Sequence, residues 1–243
     1  MTVAESPLEQ FKIERLAEFH IGGYDASFTN SSLLMVVAVV AITAFLVLGS
    51  AKSALVPGRW QSMTELAYEF IANMVHENAG TAGMKYFPWV FSIFMFVLFG
   101  NLLGMIPYSF TFTSHIVVTF ALAAMVFVTV TLIALFRHGF KFFGFFFPHG
   151  APVAMAPLIV PIEILSYLSR PVSLSIRLFA NMMAGHTMLF VFGTFTVALG
   201  VFGVLPFAVN IALILFEFLV AVLQAYVFTI LTCLYLKDAI ELH

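Results

Sequence analysis

Charged residues are scarce in this chain, and only 9% of its 243 residues are Asp, Glu, Lys or Arg. A soluble domain carries about one quarter charged residues, so the composition excludes an ordinary soluble protein. Cysteine is nearly absent too: Cys233 is the one thiol, which excludes an internal disulfide. It lies in an apolar run and is expected to be buried. The chain has no basic patch, so we expect no nucleic-acid partner.

The sequence also lacks the motifs of nucleotide binding and covalent chemistry. It contains no Gly-x-x-x-x-Gly-Lys phosphate loop and no Gly-x-Ser-x-Gly elbow. It has no run of His, Cys, Asp or Glu at the spacing of a metal site. We therefore expect no cofactor, no metal and no catalytic site within this chain.

Apolar residues are abundant: 62% of the chain is hydrophobic, and the mean hydropathy is +1.07. The apolar runs are long and do not alternate, so they predict helices rather than barrel strands. The fold class predicted is an all-α polytopic membrane protein. Residues 1–31 are expected to form a polar outer segment, too acidic for a signal or transit peptide. Residues 32–243 are expected to form a single transmembrane domain.

Five apolar runs are long enough to cross a bilayer, which takes about 20 helical residues. They cover residues 32–49, 87–106, 115–136, 156–193 and 201–236. The fourth run holds about 38 residues, roughly 57 Å of helix, so it must be tilted or bent, and so must the fifth. Pro161 and Pro171 interrupt the fourth run, and Pro206 lies near the start of the fifth.

Positive residues follow the first, third and fifth runs, at Lys52, Arg137 and Lys237. Such flanks mark the cytoplasmic side, so we expect the amino terminus outside and the carboxyl terminus in the cytoplasm. Between the first two runs, residues 60–77 show apolar positions at three- and four-residue spacing. This pattern predicts an amphipathic helix. It is interpreted as a cytoplasmic surface helix, or alternatively as an ordinary packing helix.

A polar stripe occurs within the fourth run. Glu163, Arg170 and Arg177 are spaced by seven residues, and Asn181 follows one turn later. On a straight helix these side chains lie within about 40° of one another, whereas His186 lies near the opposite side. Arginine stays charged even at a cost of roughly 2.5–3.5 kcal/mol in a bilayer. The stripe predicts a wall between two water-accessible paths; the alternative is a structural ion pair of Arg177 with an intramembrane carboxylate.

The last run carries a matching stripe. Asn210, Glu217 and Gln224 are again spaced by seven residues. A glutamate in the middle of an apolar helix must face protein or water. Glu217 is therefore interpreted as a proton-relay carboxylate, with pairing to one of the arginines as the alternative.

Three segments carry a resemblance to a known family. Residues 170–186 read Arg-Pro-Val-Ser-Leu-Ser-Ile-Arg-Leu-Phe-Ala-Asn-Met-Met-Ala-Gly-His, which resembles the signature of subunit a of the F-type ATP synthases. Residues 217–228 resemble the last-helix signature of that family, and residues 101–107, Asn-Leu-Leu-Gly-Met-Ile-Pro, match its second-span pattern. The resemblance covers nearly the whole chain beyond about residue 30.

The resemblance assigns roles to Arg177 and to the polar residues around it. Arg177 corresponds to the essential arginine that faces the rotor ring of c subunits. Asn181 and Gln224 correspond to polar residues near that arginine. Glu163 and Ser173 correspond to polar positions along the same helix.

The resemblance also implies an interacting pair, His186 and Glu217, that lines the outer half-channel. Some bacterial members exchange the acid and the imidazole between the two helices, whereas this chain has the arrangement of mitochondrial members. Which of the two residues passes the proton on is left open. Asn210, on the face of Glu217, completes the expected proton-path residues.

The implied function is that of a proton-translocating stator with two offset aqueous half-channels. Protons load and unload on c-ring carboxylates, and the rotation drives ATP synthesis elsewhere in the complex. Expected partners are the c-ring, b-type subunits of the peripheral stalk and the lipid bilayer. The expected location is the bacterial inner membrane, or alternatively the mitochondrial inner membrane. A proton-coupled secondary transporter of a small anion is the competing function, whereas an intramembrane hydrolase would need a nucleophile and base that we do not find.

Overall fold

A computed structural model describes residues 11–18, 20–21, 24–25, 27–51, 54, 56–106, 110–146 and 155–241 of the chain. This part of the chain is dominated by six α-helices. They are α1 (Asn30–Ser50), α2 (Arg59–Gly83), α3 (Phe87–Gly104), α4 (Ile116–His138), α5 (Ala156–Ala198) and α6 (Val204–Ile240). The predicted helical membrane fold is confirmed.

Among the described residues, five helical segments are long and apolar enough to cross a membrane, which agrees with the predicted number. They are Asn30–Ser50, Arg59–Gly104, Ile116–His138, Ala156–Ala198 and Gly200–Ile240. The second segment joins α2 to α3 through a 3₁₀ turn at Met84–Tyr86. The helix α1 begins two residues before the predicted run because the Thr29 hydroxyl caps it, accepting from the Ser32 amide at 3.3 Å.

The helices α5 and α6 form a long antiparallel pair. With 43 residues, α5 is longer than predicted and continues through Pro161 and Pro171. Its length is roughly 65 Å at 1.5 Å per residue. A 3₁₀ turn at Gly200–Gly203 connects it to α6, and Gly200 adopts a φ of 54° that disfavours other residues. The two helices pack along their length, which brings their polar stripes together.

The helix α2 covers the predicted amphipathic segment. Only part of its apolar face packs: Ile71 and Val75 are fully buried against the core, whereas Trp60 and Leu66 are 61% and 69% exposed. The fully buried residues of α2 therefore begin at Ile71, in the second half of the helix.

The core lies between α2, α3, α4, α5 and α6. Its fully buried side chains include Val90 and Val97 from α3, Leu178 from α5, and Phe228 and Cys233 from α6. The predicted burial of the single thiol is confirmed.

Among the described residues before α1 there are two short antiparallel strand pairs, which were not predicted. Strand β1 (Arg15–Ala17) pairs with β4 (Phe28–Thr29), and β2 (His20–Ile21) pairs with β3 (Tyr24–Asp25). The Asn30 side chain donates to the Lys12 carbonyl oxygen at 3.1 Å. This bond ties the segment to the first turn of α1.

Candidate functional site

The two predicted polar stripes meet between α5 and α6. The Asn181 amide group donates a hydrogen bond to the Gln224 side-chain oxygen at 2.8 Å. Gln224 is buried, and its own Nε2 has no partner in the described part of the chain. This bond fixes the spacing of the two helices near the middle of the pair.

A groove of about 400 Å³ lies beside this bond. Its polar lining comes from Arg177, Asn181, Glu217 and Gln224, and the rest is apolar or glycine. Arg177 is exposed, and no carboxylate among the described residues pairs with it. The alternative of a structural ion pair at Arg177 is therefore absent from this part of the structure.

Glu217 faces His186 across the helix pair. The distance from His186 Nε2 to Glu217 Oε1 is 3.5 Å, and both side chains are largely buried. Neither Glu217 oxygen makes a hydrogen bond to the described residues. Gly185 leaves the space for this carboxylate, since a Cβ there would lie 2.7 Å from Oε1. Within the described chain Glu217 thus pairs with the imidazole and not with an arginine.

Two segments that sequence reasoning did not connect to the site also reach His186. Thr111, in the loop between α3 and α4, has its hydroxyl oxygen 3.1 Å from Nε2. The Phe11 ring meets the imidazole edge-on, with centroids 6.3 Å apart. At the end of the same loop, His115 stacks on Phe110, and burial lowers the pKa of His115. The sequence signal for the loop was only its richness in Ser and Thr.

Asn101, in the segment that matches the second-span pattern, connects α3 to the part of α6 that forms the site. It is fully buried, and its side-chain nitrogen donates to the Ala221 carbonyl oxygen at 3.2 Å. Ala221 lies between Glu217 and Gln224 on α6. Asn101 therefore holds α3 against the part of α6 that carries the polar stripe.

Three predicted residues lie away from the groove. Ser173 is exposed one turn before Arg177, and Glu163 is half-buried about 21 Å from Arg177, towards the start of α5. Asn210 lies opposite Gly193 of α5, and its side-chain oxygen is buried without a partner in the described chain. The predicted proton-path residues therefore lie at intervals along α5 and α6 and do not form a single cluster.

Arg170 has different surroundings from Arg177 despite the predicted common stripe. Its guanidinium binds the Asp238 carboxylate at 2.9 Å. The Tyr167 and Tyr235 rings lie on it, with centroids 5.3 and 5.1 Å from the guanidinium carbon. The charge of Arg170 is thus compensated at the carboxyl-terminal end of α6.

Comparison with known proteins gives the family. A family model described as ATP synthase A chain matches residues 32–237. ATP synthase subunit a of Rhodospirillum rubrum is 58% identical over 239 residues, covering 98% of this chain and 99% of the relative. The subunit a of Paramagnetospirillum magneticum is 57% identical over 245 residues, with coverages of 98% and 99%. That of Pelagibacter ubique is 54% identical over 243 residues, with coverages of 99% and 100%. These matches extend over nearly all of the chain, which therefore belongs to the ATP synthase A chain family.

Proposed function

We propose that this chain forms two offset aqueous half-channels in an F-type ATP synthase, and that Arg177 separates them. The observation that supports this proposal most directly is that Arg177 is exposed on the groove and has no carboxylate partner in the described chain. A permanent cation without a partner is costly in a membrane. It therefore calls for an anion from outside the chain, and a carboxylate of a c-ring fits that need.

His186 and Glu217 form the uptake side in this proposal. The 3.5 Å between Nε2 and Oε1 supports proton transfer between them after a small side-chain movement. Imidazole and carboxylate groups both exchange protons readily in proteins. Glu217 also lines the groove that contains Arg177, so a proton on Glu217 has reached the ring-facing side. Asn210 extends this path along α6.

Ring carboxylates alternate between two states in this scheme. A neutral carboxyl group can face lipid, whereas an ionised one cannot do so cheaply. Arg177 attracts the ionised form, and because its guanidinium does not deprotonate it cannot carry a proton across. Ser173 and Glu163 continue the path along α5 towards the other side of the membrane. Each proton that crosses 100 mV releases about 2.3 kcal/mol for rotation.

The proposed setting is the bacterial inner membrane, with the amino terminus outside and the carboxyl terminus in the cytoplasm. The Lys and Arg flanks of the spans support this orientation, and the relatives compared above are bacterial. The proposed partners are the c-ring, b-type peripheral-stalk subunits and lipid. Family membership does not favour the secondary transporter.

The test of this function is the substitution Arg177→Lys in the reconstituted complex. Lysine keeps the charge in water, but it can lose its proton when buried and lacks the planar fork. We expect proton-driven ATP synthesis to be abolished. The control is Arg137→Lys at the exposed end of α4, which should leave synthesis unchanged. Normal synthesis in the Arg177→Lys complex would contradict the proposed role.

A further inference from the structure

Thr111 is a buried loop residue with two polar neighbours. Its hydroxyl oxygen lies 3.1 Å from the Gly104 carbonyl oxygen at the end of α3. The same oxygen lies 3.1 Å from Nε2 of His186 on α5. Thr111 therefore links the backbone of α3 to the imidazole that faces Glu217.

The number of hydrogens on each group determines which one donates in the two hydrogen bonds of the Thr111 hydroxyl. A threonine hydroxyl has one hydrogen and two lone pairs, and a carbonyl oxygen can only accept. The hydroxyl hydrogen of Thr111 therefore goes to Gly104, and the hydroxyl oxygen accepts from His186. It follows that Nε2 of His186 carries a hydrogen. Glu217 Oε1 lies 3.5 Å from the same nitrogen without a hydrogen bond to it, so a small side-chain movement would bring it within reach of that hydrogen.

The loop holds this hydroxyl in place. The Ser114 hydroxyl donates to the Thr111 carbonyl oxygen at 2.5 Å, and the Ser114 amide donates to it at 3.1 Å. Phe112 is 1% exposed and packs against Gly100. At Gly104 a Cβ would lie 2.5 Å from Thr111 Cγ2, so the close approach requires glycine. The hydroxyl is consequently oriented before any proton arrives.

We infer that Thr111 is a positioning residue that keeps the neutral His186 ring in the Nε2–H form. The inference rests on the proposed proton path through His186 and Glu217. In the Nε2–H form the Nδ1 lone pair is free to take the next proton, which makes the ring an imidazolium.

The imidazolium then passes its Nε2 proton to the Glu217 carboxylate. The Nε2–H bond breaks, the proton forms an O–H bond on Glu217, and the ring is left neutral with its hydrogen on Nδ1. Exchange with water moves the hydrogen from Nδ1 back to Nε2. Thr111 favours this return because its hydroxyl oxygen accepts from Nε2–H.

The direct test is ¹⁵N NMR of the complex in which this chain carries ¹⁵N-histidine. The His186 signal is assigned by its loss in a His186→Gln sample. We expect wild-type His186 to be protonated on Nε2, and Thr111→Val to shift its population towards the Nδ1–H form. Thr111→Ser should restore the wild-type signal. A wild-type ring in the Nδ1–H form would overturn the inference without any Thr111 variant.

Thr113 provides a matched control in the same loop. It is 1% exposed, and its hydroxyl has no partner in the described residues. Thr113→Val should therefore leave the His186 signal and the rate of proton-driven ATP synthesis unchanged. Thr111→Val should slow that rate roughly two- to tenfold, as expected for one lost hydrogen bond at the transfer step, and Thr111→Ser should be close to wild type.

A Glu217→Gln complex separates this inference from the proposed function. If Glu217→Gln synthesises ATP at the wild-type rate, the proposed path fails. If Glu217→Gln is slow while Thr111→Val matches wild type in both rate and spectrum, the path stands and only the role of Thr111 is overturned. If Thr111→Val and Thr113→Val lowered the rate of ATP synthesis equally, the role of Thr111 would also be overturned. Both substitutions would then act through the packing of the loop.

Discussion

Glu217 can occupy its buried position because a neighbouring residue has no side chain. A Cβ on Gly185 would lie 2.7 Å from Glu217 Oε1 and 2.9 Å from its carboxyl carbon. Real Cβ atoms do not approach other atoms that closely, so the carboxylate would have to move. At Gly193, further along α5, the nearest atom is Asn210 Nδ2 at 3.9 Å, which is ordinary contact. The two glycines thus differ in what they permit.

We predict that Gly185→Ala slows proton-driven ATP synthesis about tenfold, as loss of roughly 1.4 kcal/mol of positioning would do. The physical reason is the displacement of the Glu217 carboxylate from His186. The measurement is the initial rate of synthesis in vesicles that contain the complex. Gly193→Ala on the same helix is the matched control and should behave as wild type. Equal rates in the two variants would contradict the requirement for space at Gly185.

Contacts between individual residues could be predicted from the sequence only where the residues are close along the chain. The spacing of Glu217 and Gln224 put them on one face of α6, and Gln224 does lie beside Asn181. The contact of Thr111 with His186 joins residues 75 positions apart, and no local period encodes it. The pairing of Arg170 with Asp238, 68 positions apart, was missed for the same reason.

At the scale of elements, side-chain bonds join α4, α5 and α6 at one end of the molecule. Arg170 of α5 binds Asp238 of α6 at 2.9 Å, and the Tyr167 hydroxyl lies 2.7 Å from that of Thr131 on α4. His138, at the end of α4, lies 3.1 Å from the Ala239 carbonyl oxygen. The Arg170 and Asp238 side chains are 22% and 42% exposed, so solvent screens the pair and its contribution is roughly 0.2–1 kcal/mol.

We predict that Asp238→Asn lowers the free energy of unfolding by less than about 1 kcal/mol. Arg170→Ala should lower it more, since it also removes two cation–π contacts of about 0.5–1 kcal/mol each. The measurement is thermal unfolding of the purified complex, followed for this chain. In the Arg170→Ala background, Asp238→Asn should lower the free energy of unfolding little further, because its partner is already absent. Fully additive losses would show that the two side chains do not interact.

The helices themselves were the most predictable elements. Hydrophobic length alone located α1, α3 and α4 to within a few residues, because a bilayer imposes that length. The continuous helix through Pro161 and Pro171 was harder to foresee, since proline removes a backbone donor but long membrane helices tolerate the loss. The strands before α1 are only two or three residues long, too short for an alternating pattern to predict.

At the scale of the whole molecule, the pair of α5 and α6 has one packed face and one bare face. Leu174, Leu178 and Ala221 are buried against the other helices. On the opposite face Ile176 and Leu223 are 48% and 49% exposed, and Arg177 lies among such residues. Arg177 has no carboxylate partner in the described part of the chain, and an apolar face with such a cation suits a membrane partner with carboxylates better than it suits lipid alone.

Cysteine crosslinking tests the central claim, that this bare face meets a ring of c subunits. In a Cys233→Ser background, single cysteines are introduced at exposed Ile176, Ala180 and Leu223, and at buried Leu174 and Leu178 as controls. We predict crosslinks from the exposed positions to a small membrane hairpin that carries a mid-helix carboxylate, and none from the buried ones. Crosslinks confined to this chain, with no partner joined at any exposed position, would contradict the account.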